Sequence, residues 1–212
     1  MSEIRTFSCS DRRQWRDWLN KHFETETEIW FVFPTKDSGE ESISYNDAVE
    51  EALCFGWIDG RAGTLDATHQ LRRFTPRRKG SAYSRPNIER LIWLDAQGLI
   101  HPSVRESVRD LISQPFEFPG DILDAIRQDA EAWKHYVSFP ESYKRIRVAY
   151  IDAARKRPAE FEKRLNSFIR KTRENKLIAG YGGVDKYYVS KTEGATAWKR
   201  NCLSRKCGRA FT

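Results

Sequence analysis

Strand-like runs are confined to the stretch before Pro76, and beyond it the apolar residues recur at helical spacing. The first run, Glu28-Ile29-Trp30-Phe31-Val32-Phe33, is β-branched and aromatic and stops at Pro34, ahead of the polar loop Thr35 to Glu41. Trp57-Ile58-Asp59-Gly60 reads as a short second strand, and Leu71 to Thr75 is its expected partner across a loop of about ten residues. Helices flank these three strands, and only helices follow them. The expected fold is therefore α+β: a small antiparallel sheet packed with helices, followed by an all-helical C-terminal part.

The helices announce themselves at their ends. Asp11 is the expected N-cap of a helix running to His22, with Trp15, Trp18, Leu19 and Phe23 at helical spacing. Ser44-Tyr45-Asn46-Asp47 has the form of a capping box; Ala48, Val49, Ala52 and Leu53 follow as an apolar stripe, and Gly56 is placed to stop the helix. Ser84 or Arg85 opens the next, with Pro86 in its first turn and Gly98 at its end, and Pro102 opens another through Val104, Val108, Leu111 and Ile112. After the turn-rich, aromatic stretch Pro115 to Gly120, helices are expected around Ile122–Ile126, Tyr143–Ala153 and Phe161–Thr172. This divides the chain into an α+β domain (1–115), a helical module (116–188) and a basic mobile tail (189–212), with Gly180, Gly182 and Gly183 ending the regular pattern.

A chain of 212 residues, 39% hydrophobic and 13% aromatic, can bury a substantial core and is not of disordered composition. Trp15, Trp18, Trp30, Trp57 and Trp93 fall on stripes or strand positions and are expected mainly to build that core. No apolar run reaches the roughly 18 residues that would cross a bilayer, and no apolar stretch follows a basic start. No membrane insertion and a cytoplasmic location are expected. Cys9, Cys54, Cys202 and Cys207 are scattered, which suits free thiols in a reducing compartment; Cys54 lies in an apolar stripe as a small core residue. His22, His69, His101 and His135 lack ligand spacing, and Cys202–Cys207 has no second pair to complete a zinc site. Neither a metal nor another cofactor is expected, and Gly180-Tyr181-Gly182-Gly183 lacks the continuation of a phosphate loop.

The net charge of +7 is unevenly spread: residues 1–60 hold 6 Lys/Arg against 13 Asp/Glu, whereas residues 141–176 hold 12 against 5 and residues 177–212 hold 7 against 2. Such a back half either forms solvated helix faces or attracts non-specific nucleic acid or an acidic partner through its long-range field. No helix-turn-helix or RNP-type aromatic motif supports specific nucleic-acid reading.

One constellation stands out as chemistry. Asp59 sits at a strand end after Trp57 and before Gly60; Arg61 follows it, Arg73 and Arg77 lie four apart on and after the partner strand, and Ser84 and Asn87 flank a helix start. Guanidinium forks hold carboxylate or phosphate bidentately, and a helix start adds N–H, hydroxyl and amide donors. These residues, with Trp57 alongside, form a candidate site for a small anionic ligand, in which Asp59 orients the ligand or serves as base. The competing reading makes Asp59 the structural ion-pair partner of Arg73 or Arg77 and leaves Ser84 and Asn87 as helix caps.

The run from Tyr45 through Asp59-Gly60, then Arg73-Phe74-Thr75-Pro76-Arg77, then Ser84 and Asn87, resembles the YdeI/OmpD-associated, or bacteriocin-protection, family. The resemblance extends more loosely over about residues 8–188, with Phe118-Pro119 and Tyr143 to Ala154 in its helical module. It implies an α+β fold and a part in bacteriocin or stress tolerance, and it implies no reaction. Absent a signal peptide, the porin in the family's name is not expected as a partner.

Overall fold

The computed structural model describes residues 5–179 and Tyr187. Gly180, Gly182, Gly183, Cys202, Cys207 and the segment 189–212 lie outside the described residues. The elements in chain order are β1 (Thr6–Phe7), α1 (Arg12–His22), β2 (Ile29–Pro34), α2 (Tyr45–Cys54), β3 (Trp57–Thr64), β4 (His69–Pro76), α3 (Arg85–Ala96), α4 (Pro102–Ser113), α5 (Gly120–Arg127), α6 (Ala130–Ser138), α7 (Glu141–Asp152) and α8 (Pro158–Arg173). The fold is α+β. The chain divides into two compact units, one reaching to Tyr83 together with Leu94–Ser113, the other comprising Ser84–Trp93 and the chain from Gln114 onward.

In the first unit the sheet order is β1-β2-β4-β3. β2–β4 and β4–β3 are antiparallel, as expected, whereas the two-residue β1 pairs with β2 in parallel. β1 is too short to carry an alternating pattern, which is why three strands and not four are readable in the sequence. The β3–β4 hairpin is also longer than its apolar letters suggest, since Arg61, Gly63, Thr64, His69 and Gln70 continue the strands and leave residues 65–68 as the turn. Backbone pairing, not side-chain hydrophobicity, extends them.

Alternation along the strands aims Ile29, Phe31 and Phe74 at the helices. Trp15 from α1 meets Phe31 and Phe74 edge-on at centroid distances of 5.2 and 5.6 Å, and Trp57 packs edge-on against Trp18. Trp15, Phe31 and Phe74 are fully buried. The caps form as their letters predict: the Asp11 carboxylate accepts from the Arg13 N–H, and in α2 the Asp47 N–H donates to the Ser44 hydroxyl, which in turn donates to the Asp47 carboxylate. Gly56 ends α2 at φ +71°, a left-handed conformation that an L side chain rarely adopts.

The second unit is helical. Its core gathers Ile122 and Ile126 of α5, Ala132 and Tyr136 of α6, Tyr143, Ile146, Val148 and Ile151 of α7, and Phe168 of α8. α6 has no separate counterpart in the sequence-based expectation. Its start is signalled by Asp129, whose carboxylate accepts from the Ala132 N–H, but its apolar face is short, with Ala132 and Tyr136 as its buried residues.

Removing a buried aromatic ring costs both its transfer free energy and the cavity left behind. Phe74→Ala is expected to lower stability by about 3 to 5 kcal/mol, measured by denaturant unfolding followed through tryptophan fluorescence.

Candidate functional site

The candidate residues of the first unit lie along the β3–β4 hairpin. Asp59 pairs in register with Phe74, and the ladder then slips, placing Gly60 and Arg61 in a bulge before Ala62 meets Arg72. The Tyr45 hydroxyl, at the first residue of α2, donates to the Asp59 carboxylate at 2.5 Å. Arg72 donates to the Gly60 carbonyl at 3.3 Å and lays its guanidinium over the Tyr45 ring at 5.1 Å. Tyr45, Asp59 and Arg72 therefore meet at one corner of the sheet, with Arg61 exposed in the adjoining bulge.

The other residues are held elsewhere. Arg73 points to the opposite face of β4 from Arg72 and forms an ion pair with Glu28. Arg77 follows β4, where its N–H donates to the Gly56 carbonyl. Its guanidinium donates to the Ala82 carbonyl at 2.8 Å and the Ser81 hydroxyl at 3.1 Å, and stacks over Tyr83 at 3.7 Å. Burial raises the Tyr83 phenol, which the charge of Arg77 partly offsets. Trp57 lies in the core, donating its indole N–H to the Phe23 carbonyl at 3.0 Å. Ser84 and Asn87 belong to the second unit, where the Ser84 carbonyl accepts the first bond of α3 from Ile88 and the Asn87 amide oxygen accepts from Arg90. The partner of Asp59 is thus a phenol, and the carboxylate on Arg73 is Glu28.

Two further polar clusters were not singled out from the sequence. Glu50 and Glu51 of α2 are buried at 0% and 3% exposure, and α1 answers them: Arg12 pairs with both and with Asp47, while Arg16 pairs with Glu51 and donates to the Leu99 carbonyl at 2.6 Å. Burial alone would lower the pKa of Arg12, but the charges of Glu51 and Glu50 more than reverse this and hold it above its ordinary value. The capping-box pattern masked these acids, because Glu residues in a first helical turn and a half read as solvated. Burial also pushes the Cys54 thiol up to about 12 and the Cys9 thiol up to about 11, so neither is a thiolate nucleophile at neutral pH.

The second cluster is His69, whose ring nitrogens face two carboxylates: Nδ1 lies 2.9 Å from Asp66 and Nε2 lies 3.1 Å from Glu40. With acceptors on both sides, the doubly protonated ring is favoured. The Asp66 hydrogen bond, with its charge, raises the His69 pKa, and the Thr68 N–H followed by His69 holds Asp66 down at about 2. These groups line a cavity of about 410 Å³ that also takes in Ser8, Cys9 and Ser42. Among the described residues no three His, Cys, Asp or Glu side chains gather as a metal site.

Residues 7–107 match a family model described as a domain of unknown function (DUF8412), and residues 115–175 match one described as Bacteriocin-protection, YdeI or OmpD-Associated. The resemblance seen in the sequence is thus matched in the helical part, whereas the Tyr45 to Asn87 run falls in the span of the first model. No curated protein and no solved structure matches the chain. Among the described residues no helix is long and apolar enough to cross a membrane. The second match suggests a bacteriocin-protection-like role.

Breaking a buried ion pair from one side strands the other charge. Arg12→Met is expected to destabilise the fold by about 3 kcal/mol in denaturant unfolding, because Glu50 and Glu51 stay behind in the interior. The His69 clamp should depend on pH. Its raised pKa contributes stability below about 6.5 that is lost as pH climbs through the folded value, and the depressed Asp66 pKa contributes stability above about 4 that is lost as pH falls towards 2. An NMR titration of the His69 ring should give a midpoint above the ordinary imidazole value, and Asp66→Asn should bring it back down.

Proposed function

We propose, from the match of residues 115–175 to the bacteriocin-protection family, that the chain is a cytoplasmic protein with a protective role of that kind, which it exerts by binding a small anionic ligand on the β3–β4 hairpin of its first unit. The observation that carries this reading is a surplus of positive charge without acid partners. Arg73 has Glu28, but the hydrogen bonds of Arg72 and Arg77 run to carbonyls and a hydroxyl, and Arg61, Arg78 and Lys79 have no carboxylate partner among the described residues. Asp59, the nearby acid, is engaged by Tyr45.

An anion would be met by Arg61 and Arg72 beside the bulge, and its orientation set against Asp59. A guanidinium that donates to a backbone carbonyl and whose face rests on an aromatic ring, as for Arg72 and Arg77, is held in place before a ligand arrives. Such preorganisation favours recognition of a carboxylate or phosphate. Asp59 is close enough to serve as base for a bound ligand, and nothing in this reading requires turnover.

The competing reading takes the basic run 141–176 as an adaptor for nucleic acid or an acidic protein. The two separate in one experiment. Thermal-shift measurements with a panel of anionic metabolites and nucleotides should show stabilisation of the wild type that is lost in Arg61→Ala and in Arg72→Ala. Arg61 is exposed and has no hydrogen-bond or ion-pair partner among the described residues, so its replacement should leave the unliganded melting temperature unchanged. Binding to a mixed-sequence oligonucleotide that falls steeply with salt and survives both substitutions would instead favour the adaptor.

A further inference from the structure

The second unit contains a cavity of about 400 Å³ along the seam of α7 and α8, closed at one end by Ile178 and Ala179. Its walls follow from helical periodicity. Glu160, Lys163, Arg164, Ser167 and Phe168 recur at three- and four-residue steps and so share one face of α8, and Arg147, Tyr150 and Ile151 share one face of α7. The lining carries three cations, Arg147, Lys163 and Arg164, against one acid, Glu160.

The roles within that lining differ. Arg164 belongs to the wall: it donates to Glu160 and to the Tyr150 carbonyl, both at 2.7 Å, and its guanidinium stacks on the Tyr150 ring at 3.8 Å. Arg147 ties the wall to the segment that closes the cavity by donating to the Ile178 carbonyl. Lys163 and Ser167, one turn apart on the same face, have no hydrogen bond or ion pair among the described residues. Tyr150 and Ile178, both partly exposed, supply apolar surface, with Phe168 and Ile151 buried behind them. Preformed pockets of a few hundred Å³ with an apolar body and a few polar groups on one side are the usual form of small-ligand sites.

The geometry points to a second ligand site here, separate from the hairpin, that takes a small amphipathic anion with its planar apolar part against Tyr150 and Ile178 and its carboxylate or phosphate on Lys163 and Ser167. The ammonium and the hydroxyl form charge-assisted hydrogen bonds to the anionic end, and the surplus of positive charge in the lining disfavours cationic analogues. Ring and charge are both needed, since an anion alone finds the same ammonium in open water elsewhere on the surface.

Isothermal titration of the full chain with phenyl phosphate tests this, with inorganic phosphate and benzyl alcohol as the two half-ligands. Phenyl phosphate should bind at least about tenfold more tightly than either half. Lys163→Glu should weaken it by about tenfold or more, corresponding to loss of one charge-assisted hydrogen bond. Ser167→Leu, which narrows the cavity, should abolish binding, and every titration is carried out in the Arg61→Ala background so that an anion on the hairpin does not contribute. Circular dichroism melts establish that each variant is folded. Equal affinity for inorganic and phenyl phosphate, absence of binding, or phenyl phosphate binding that is indifferent to Lys163→Glu and Ser167→Leu in folded variants would overturn the site.

Discussion

The inner face of α2 carries two carboxylates, Glu50 and Glu51, in a place that water does not reach. Burial of even one unpaired carboxylate would be prohibitive, so the helix can pack there only if cations arrive with it. Arg12 and Arg16 of α1 are those cations, one turn apart and therefore on the same face. The pairing sets the register between α1 and α2. With that register set, Trp15 reaches the sheet and the indole N–H of the same residue donates to the Ala48 carbonyl. The start of α2 is carried along, which puts Tyr45 over Asp59 and Arg72.

From this follows the character of the hairpin surface. The Asp59 carboxylate is bonded by a phenol and makes no ion pair with a guanidinium among the described residues, and Glu28 pairs with Arg73 on the other face. Arg72 and Arg77 are instead anchored by carbonyls and aromatic rings. Anchoring of this kind costs little solvation because the peptide carbonyls replace water on part of each guanidinium. The same device recurs in the second unit, where Arg164 rests on Tyr150 and donates to its carbonyl. In both units arginine acts as a structural element of a wall while nearby charges stay open.

The family matches divide the chain in two. The helical span from 115 to 175 carries the bacteriocin-protection match and the basic α7 and α8, and the span from 7 to 107 carries the sheet and a match to a domain of unknown function. Both halves present cations around concave or corner-like surfaces, by unrelated local structures.

Most local structure was legible in the residues, because its causes lie within a few positions of one another. Asp11 caps α1, Ser44 and Asp47 bond reciprocally at the start of α2, and Gly56 and Gly98 take the left-handed conformations that end their helices. The α+β class followed from where strand letters stop. Partner choice was not legible. Asp59 found Tyr45 fourteen residues back, Arg73 found Glu28 forty-five residues back, and the buried pair of α2 found α1 across a strand and a loop. Charge and spacing specify what each group needs, but several groups of the right sign were available to each of these. Which of them comes within reach depends on strand register, on the bulge after Asp59 and on how two helices lie on a sheet, and those distances exist only once the chain has folded.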